Sequence, residues 1–409
     1  MDTMAAVRPL TALAGPAPAA LKAVPHPAAK KRGLPAFTWG YNARAGLGLG
    51  HTAQVLAPTR TRLPSGTADV QGGLNFTVAL TRGGKVYAWG GNQHGQLGDG
   101  TTSLRWTPTR VKLPKGTRIA AIAVGVDHVV ATTRSGRLFA WGHNHRGQLG
   151  DGTVVDRHEP VLLRKRIPGS VSAIAAGNGI SAAVTAGGAV YLWGRNTFGQ
   201  LGRRSKHNPA LGALPQTRPA RAVLPKGSAA VAVAAGNRHV TVALRDGRLV
   251  VFGLDAAGRP SEGTIRLRSA WGRPMRLAAG EDFTLVLTSR HQLLAFGANA
   301  SGQLGVGDHI NRFEPVAVKL PTGQGRVRDL VAHARGGAAL TTNGAVFTWG
   351  DGNVGQHGAG LDAKALALRP TPARVKGLAG VRVTGLHAGQ HHIVARVESG
   401  PAAPKGPRR

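Results

Sequence analysis

An aromatic–glycine pair returns seven times along this chain, at Trp39-Gly40, Trp89-Gly90, Trp141-Gly142, Trp193-Gly194, Phe252-Gly253, Phe296-Gly297 and Trp349-Gly350. The intervals are 50, 52, 52, 59, 44 and 53 residues. A unit of that length holds one supersecondary motif and cannot bury its own apolar face, so the copies must stack on one another. Seven copies leave no room for separate domains. Ahead of most pairs lies a glycine followed eleven residues later by another turn residue, as in Gly73 and Gly84, Gly125 and Gly136, Gly177 and Gly188, and Gly236 and Gly247. Short apolar strands fill the space between them, for example 76–80, 128–132 and 239–243. After the pair comes a polar turn, Asn92-Gln93-His94-Gly95-Gln96-Leu97-Gly98, with counterparts at 144–150, 196–202 and 299–305.

Each unit reads as four strands. In the second full unit the pattern predicts Ile119–Val124, His128–Thr133, 137–141 and 161–164, segments too short for helices and punctuated by glycine. Sixty glycines and twenty-five prolines in 409 residues fit many short strands and turns. Four-stranded sheets repeated about an axis make a propeller, which leaves only short, protected edges. The expected fold is therefore all-β, a seven-bladed β-propeller over residues 35–397. Its first copy starts at 35–40 without the glycine-plus-strand element, and the orphan element lies at the far end, 386–395. One blade is thus expected to be completed by both termini, with pairing of the N- and C-terminal segments closing the ring. Residues 1–34, rich in alanine and proline with a Lys30-Lys31-Arg32 cluster, and the basic tail 398–409 are expected to be disordered. Pro9, Pro16 and Pro18 interrupt a weakly apolar start whose one early cation is Arg8, so a cytoplasmic location is expected, with secretion as the alternative.

These motifs together resemble the regulator-of-chromosome-condensation repeat family over nearly all of the expected ring. The resemblance rests on the glycine–histidine strand (Gly125 and His128, Gly236 and His239, Gly389 and His392), the aromatic-glycine strand, and Gly-Gln-Leu-Gly at 95–98, 147–150, 199–202 and 302–305. Departures occur at Gly258-Arg259-Pro260, where Gly-Gln-Leu is expected, and at Phe76, Ile180, Phe283 and Gly336, which replace the histidine. The resemblance implies a scaffold with several uses. Some members are exchange factors for a small GTPase that also touch chromatin, and one secreted type is an inhibitor of β-lactamase. The exchange factors carry a wedge inserted in one blade, and intervals of at most 59 residues leave little room for it here.

Candidate chemistry is sparse. Trp39, Trp89, Trp141, Trp193, Phe252, Phe296 and Trp349 share one register, which marks residues packing blade against blade rather than stacking platforms for bases. The glycine-rich stretch 46–50 has no helix after it and is no phosphate cradle. His143 and His145 flank Asn144, but the sequence offers them no clear third ligand, so neither a metal nor a cofactor is expected. Cysteine is absent, which removes disulfides and thiolate chemistry, and no catalytic motif stands out. No apolar run approaches membrane-spanning length.

Charge remains. The formal net charge is +34, with 52 lysines and arginines against 18 acids. Such a chain repels itself, and an acidic partner relieves that cost. The longer loops of an up-and-down blade gather on one face, where Arg146, Arg203, Arg204, Lys206, His207, Arg238 and Arg335 are the expected contacts. Cations on the opposite face include Arg82, Lys115, Arg134 and Arg245. The expected function is that of a monomeric, non-catalytic interaction scaffold for an acidic protein or nucleic acid. The alternatives are a GTPase exchange factor and a secreted enzyme inhibitor.

Overall fold

The computed structural model describes residues 33–163, 167–202, 215–254, 260–360 and 367–397. The expected disordered flanks lie outside these residues, apart from Gly33 and Leu34, and Leu34 already opens the first strand, Leu34–Gly40. Strands dominate, arranged as seven four-stranded antiparallel sheets. Among the described residues helical structure is limited to single turns at Ser269–Trp271 and Lys376–Leu378, and no helix is long and apolar enough to cross a membrane.

Blades 1 to 6 follow the chain at 67–110, 119–162, 171–221, 230–266, 274–317 and 327–374. Blade 7 has the order Val55–Leu63, Leu34–Gly40, His392–Val397, Val383–Ala388, so the first and last described strands are hydrogen-bonded neighbours. Their register runs from Ala36 opposite Arg396 to Gly40 opposite His392. Within each blade the strands are called A to D from the ring axis outward.

Strand B is apolar and enclosed on both faces, as in Phe76–Thr81 and Ile180–Thr185, which are buried at every position. Strand D is the free edge and is correspondingly polar. In blade 2 it spans Arg157–Leu162 rather than starting at 161, because an outer strand needs no apolar run and tolerates Pro160.

Two contacts repeat at the seams between blades. A strand C tryptophan slides under the glycine turn of the preceding blade and donates from Nε1 to a glutamine carbonyl: Trp141 to Gln96 at 3.0 Å, and Trp193 to Gln148, Trp349 to Gln303 and Trp39 to Gln356 at 2.9 Å. The turn must end in glycine. Gly150 has φ +74°, and a Cβ there would lie 2.7 Å from Trp193 Nε1. The second contact joins a strand B histidine to a hydroxyl in the next blade: His128 to Ser181 at 2.8 Å, and His239 to Thr284 and His392 to Thr77 at 2.9 Å. Burial pushes these imidazoles down, His128 to about 3 and His239 and His392 to about 4.

Blade 4 breaks the pattern. Its strands C and D pair without a bulge from Arg248–Arg266 to Leu254–Pro260, a plain hairpin. The unusual residues Gly258 and Arg259 lie outside the described residues.

Candidate anion-binding face

Antiparallel order divides the connections between two faces. The A–B and C–D loops emerge on one, and the B–C turns and blade-to-blade loops on the other. The long A–B and C–D loops carry the contacts expected from the sequence, and the structure neutralises two of them. Arg238 grips Asp282 with Nε and Nη2, each at 2.7 Å, and Arg335 Nε lies 2.9 Å from Glu281. Those bonds hold both guanidinium groups more firmly protonated. Arg146 is exposed and forms no ion pair with a described residue. Arg203, Arg204, Lys206 and His207 lie outside the described residues.

Sequence reasoning missed Arg195, the residue after Trp193-Gly194. Its guanidinium sits 4.7 Å over the Phe198 ring, which Arg238 also approaches at 6.0 Å. Burial, followed by the like charges of Arg146 and Arg238, lowers its pKa. The same face carries Asp127, Asp156, Glu281, Asp282 and Asp351. Its charge is mixed.

The opposite face is different. A cleft of about 820 Å³ opens between the B–C turn of blade 1, the loop joining blades 1 and 2, and the B–C turn of blade 2. Arg82, Lys115, Arg118, Arg134 and Arg137 line it. All five are exposed, and none forms an ion pair with a described residue. The turns hold them in place: Gly84 and Gly136, at φ +76° and +75°, donate back to the carbonyls of Thr81 and Thr133 at 2.9 and 3.0 Å. Lys226, Arg245, Arg273 and Arg326 extend the positive charge round the ring. Among the described residues of these turns and loops the single acid is Asp246, already paired with Arg248 at 2.6 Å. Among the described residues, uncompensated positive charge is therefore concentrated on the short-turn face.

The ring axis offers less. Asp69, Gln71, Arg276, Asp329 and His387 line one arc of the channel, and Ala123, Ile174 and Val233 another. Arg276 and Asp329 pair at 2.6 Å, while burial raises Asp69 and Asp329 and pushes His387 down to about 3. A neutral His387 makes its 3.4 Å contact with Asp69 a dipolar one rather than an ion pair.

The family description "Regulator of chromosome condensation (RCC1) repeat" matches residues 36–80, 83–132, 135–184, 187–243, 290–340 and 343–396. The unmatched stretch from 244 to 289 contains the whole plain hairpin of blade 4. The chain is 31% identical over 251 residues to the ultraviolet-B receptor UVR8 of Arabidopsis thaliana, covering 59% of this chain and 55% of the receptor. It is 29% identical over 291 residues to the Homo sapiens E3 ubiquitin-protein ligase HERC2, covering 67% of this chain and 6% of the ligase. The chain thus spans about half the length of the first relative and a small part of the second. Among solved structures it superposes on human WBSCR16 with TM-score 0.76 at 22% identity, covering 90% of this chain and 100% of that one. Saccharomyces cerevisiae Prp20p, described with its binding properties to Gsp1p and histones, gives 0.74 at 21% identity, covering 90% and 92%.

Proposed function

The chain belongs to the regulator-of-chromosome-condensation repeat family, and from that premise we propose that it is a non-catalytic propeller that binds a nucleic-acid backbone on its short-turn face. The observation that carries this reading is the group of five exposed cations around one cleft, with no acid beside them. Three of them, Arg82, Lys115 and Arg134, stand on tight turns, where little conformational freedom of the backbone remains to be lost on binding. Arginine suits the task because its planar fork meets two phosphate oxygens at once. A repeating phosphate backbone satisfies a face whose charge continues round the ring, whereas folded protein partners are usually held by large aromatic anchors. Prp20p shows that a ring of this fold serves partner capture in another protein.

The test is fluorescence anisotropy of a short labelled DNA duplex over a range of salt concentrations. Counterion release makes log affinity fall linearly with log salt, with a slope of about −0.9 per neutralised phosphate. Each charge removed from Lys115, Arg118 or Arg134 is expected to reduce that slope by about one unit. Binding that is absent, or flat between low and moderate salt, rules the proposal out.

A further inference from the structure

On the long-loop face, at the seam between blades 1 and 2, three histidines and an aspartate converge. His94 comes from the C–D loop of blade 1, and His143, His145 and Asp156 from the C–D loop of blade 2. His94 Nδ1 lies 2.9 Å from Asp156 Oδ2, and His145 Nδ1 3.8 Å from Asp156 Oδ1. The His94 and His143 rings stack with centroids 4.1 Å apart, and His143 Nε2 makes a short contact with His145 Nδ1. One donor atom from each of His94, His143 and Asp156 lies within 4.8 Å of the others.

The fold does not require these side chains. The position of His143 holds Tyr41, Gly91, Arg195, Ala298 and Asp351 in other blades, and that of His94 holds Arg44, Arg146, Phe198 and Ser301. Asp156 Oδ1 accepts the Asn144 backbone N–H at 2.7 Å, a clamp that orders the loop. In blade 5 the same clamp is made by an amide, Asn299 N–H to Asn311 Oδ1 at 2.8 Å. A carboxylate is therefore not needed to hold the loop, and here it brings a charge and a second oxygen aimed at His94.

We propose that His94, His143, His145 and Asp156 bind one divalent transition-metal ion, for which Zn²⁺ is the natural probe. Imidazole nitrogens with a single carboxylate suit zinc and its neighbours in the first transition row, whereas calcium and magnesium take oxygen sets. The backbone clamp on Asp156 supplies the outer-shell support that orients a ligand. Asp127 adds negative charge close to His94 and Asp156, and Arg146, beside His143, opposes it. A bound ion would tie the two blade loops together, independently of any partner on the other face.

Titration calorimetry of the tag-free full chain with Zn²⁺, without any nucleic acid, tests this. One ion per chain is expected, with affinity at least about tenfold weaker in His143→Ala and in Asp156→Asn, and unaffected by excess Mg²⁺. Asp156→Asn retains the clamp seen at Asn311, so it is expected to fold, and a circular dichroism melt without metal checks this. His309→Ala, an exposed histidine outside the cluster, serves as the control and is expected to bind like the parent chain. Equal Zn²⁺ affinity in the parent, His143→Ala and Asp156→Asn chains overturns the site.

Discussion

Acidification is predicted to destabilise the ring before most of its carboxylates are titrated. His128, His333 and His387 are pushed down to about 3, and His239, His357 and His392 to about 4, in each case chiefly by burial. A histidine in the unfolded chain titrates near 6.5, so below that pH the unfolded state takes up protons the native state refuses. Stability is full above about pH 6.5 and is lost as the pH falls toward the native values. At pH 5 each group costs about 2 kcal/mol, since 1.5 pH units at about 1.4 kcal/mol each separate it from the unfolded pKa. The three seam histidines His128, His239 and His392 together cost about 6 kcal/mol, a large part of a typical domain stability of about 5–15 kcal/mol. Asp69, Asp127 and Asp329, whose pKa values are raised by burial, act in the opposite direction and offset part of the loss. Urea unfolding followed by tryptophan fluorescence at several pH values provides the assay. Phenylalanine already stands in the same register in blades 1 and 5, where Phe76 faces Gly90 and Phe283 faces Gly297 just as His128 faces Gly142. The triple variant His128→Phe, His239→Phe, His392→Phe should lose about 6 kcal/mol less than the parent between pH 7 and pH 5. Its cost at pH 7 is about 1 kcal/mol per lost hydrogen bond, because Ser181, Thr77 and Thr284 keep other partners. A urea midpoint in the parent that is unchanged from pH 7 to pH 5, or a variant that is equally acid-labile, refutes the reasoning.

Trp193→Ala removes a fully buried ring and its bond to Gln148, and should lower stability by about 3–5 kcal/mol in urea titration; a loss below about 1 kcal/mol would mean that the seam does not depend on it. Ending the chain at residue 382 deletes Val383–Ala388 and His392–Val397 and leaves Leu34–Gly40 paired on one side only. That truncated chain is expected to be sensitive to protease and to lack a sharp thermal transition, and a sharp transition in it would count against ring closure as a source of stability.

The period made the blades legible, because strands B and C are enclosed and their apolar and glycine residues recur in fixed register. Strand D was placed four residues late in blade 2: its Arg157-His158-Glu159-Pro160 start reads as a loop until its outer position is known. The proposed binding face was harder to see, since a count of cations cannot show which are spent. Arg238 and Arg335 find Asp282 and Glu281 only in the folded ring, across blade seams 44 and 54 residues away in sequence. Arg82, Lys115, Arg118 and Arg134 find no acid. The proposed metal site was not legible: His143 and His145 stand out in one turn, but the sequence argued against a metal because His94 reaches them only from the preceding repeat and Asp156 from beyond the next glycine turn.

Charge placement, rather than total charge, is what the functional account depends on. Two variants with the same change in net charge separate the faces: Lys115→Glu, Arg118→Glu, Arg134→Glu on the short-turn side, and Arg44→Glu, Arg146→Glu, Arg195→Glu on the long-loop side. Duplex affinity measured for both at one fixed salt concentration should fall at least about tenfold further for the first. Equal losses, or a greater loss for the second, would contradict binding on the short-turn face.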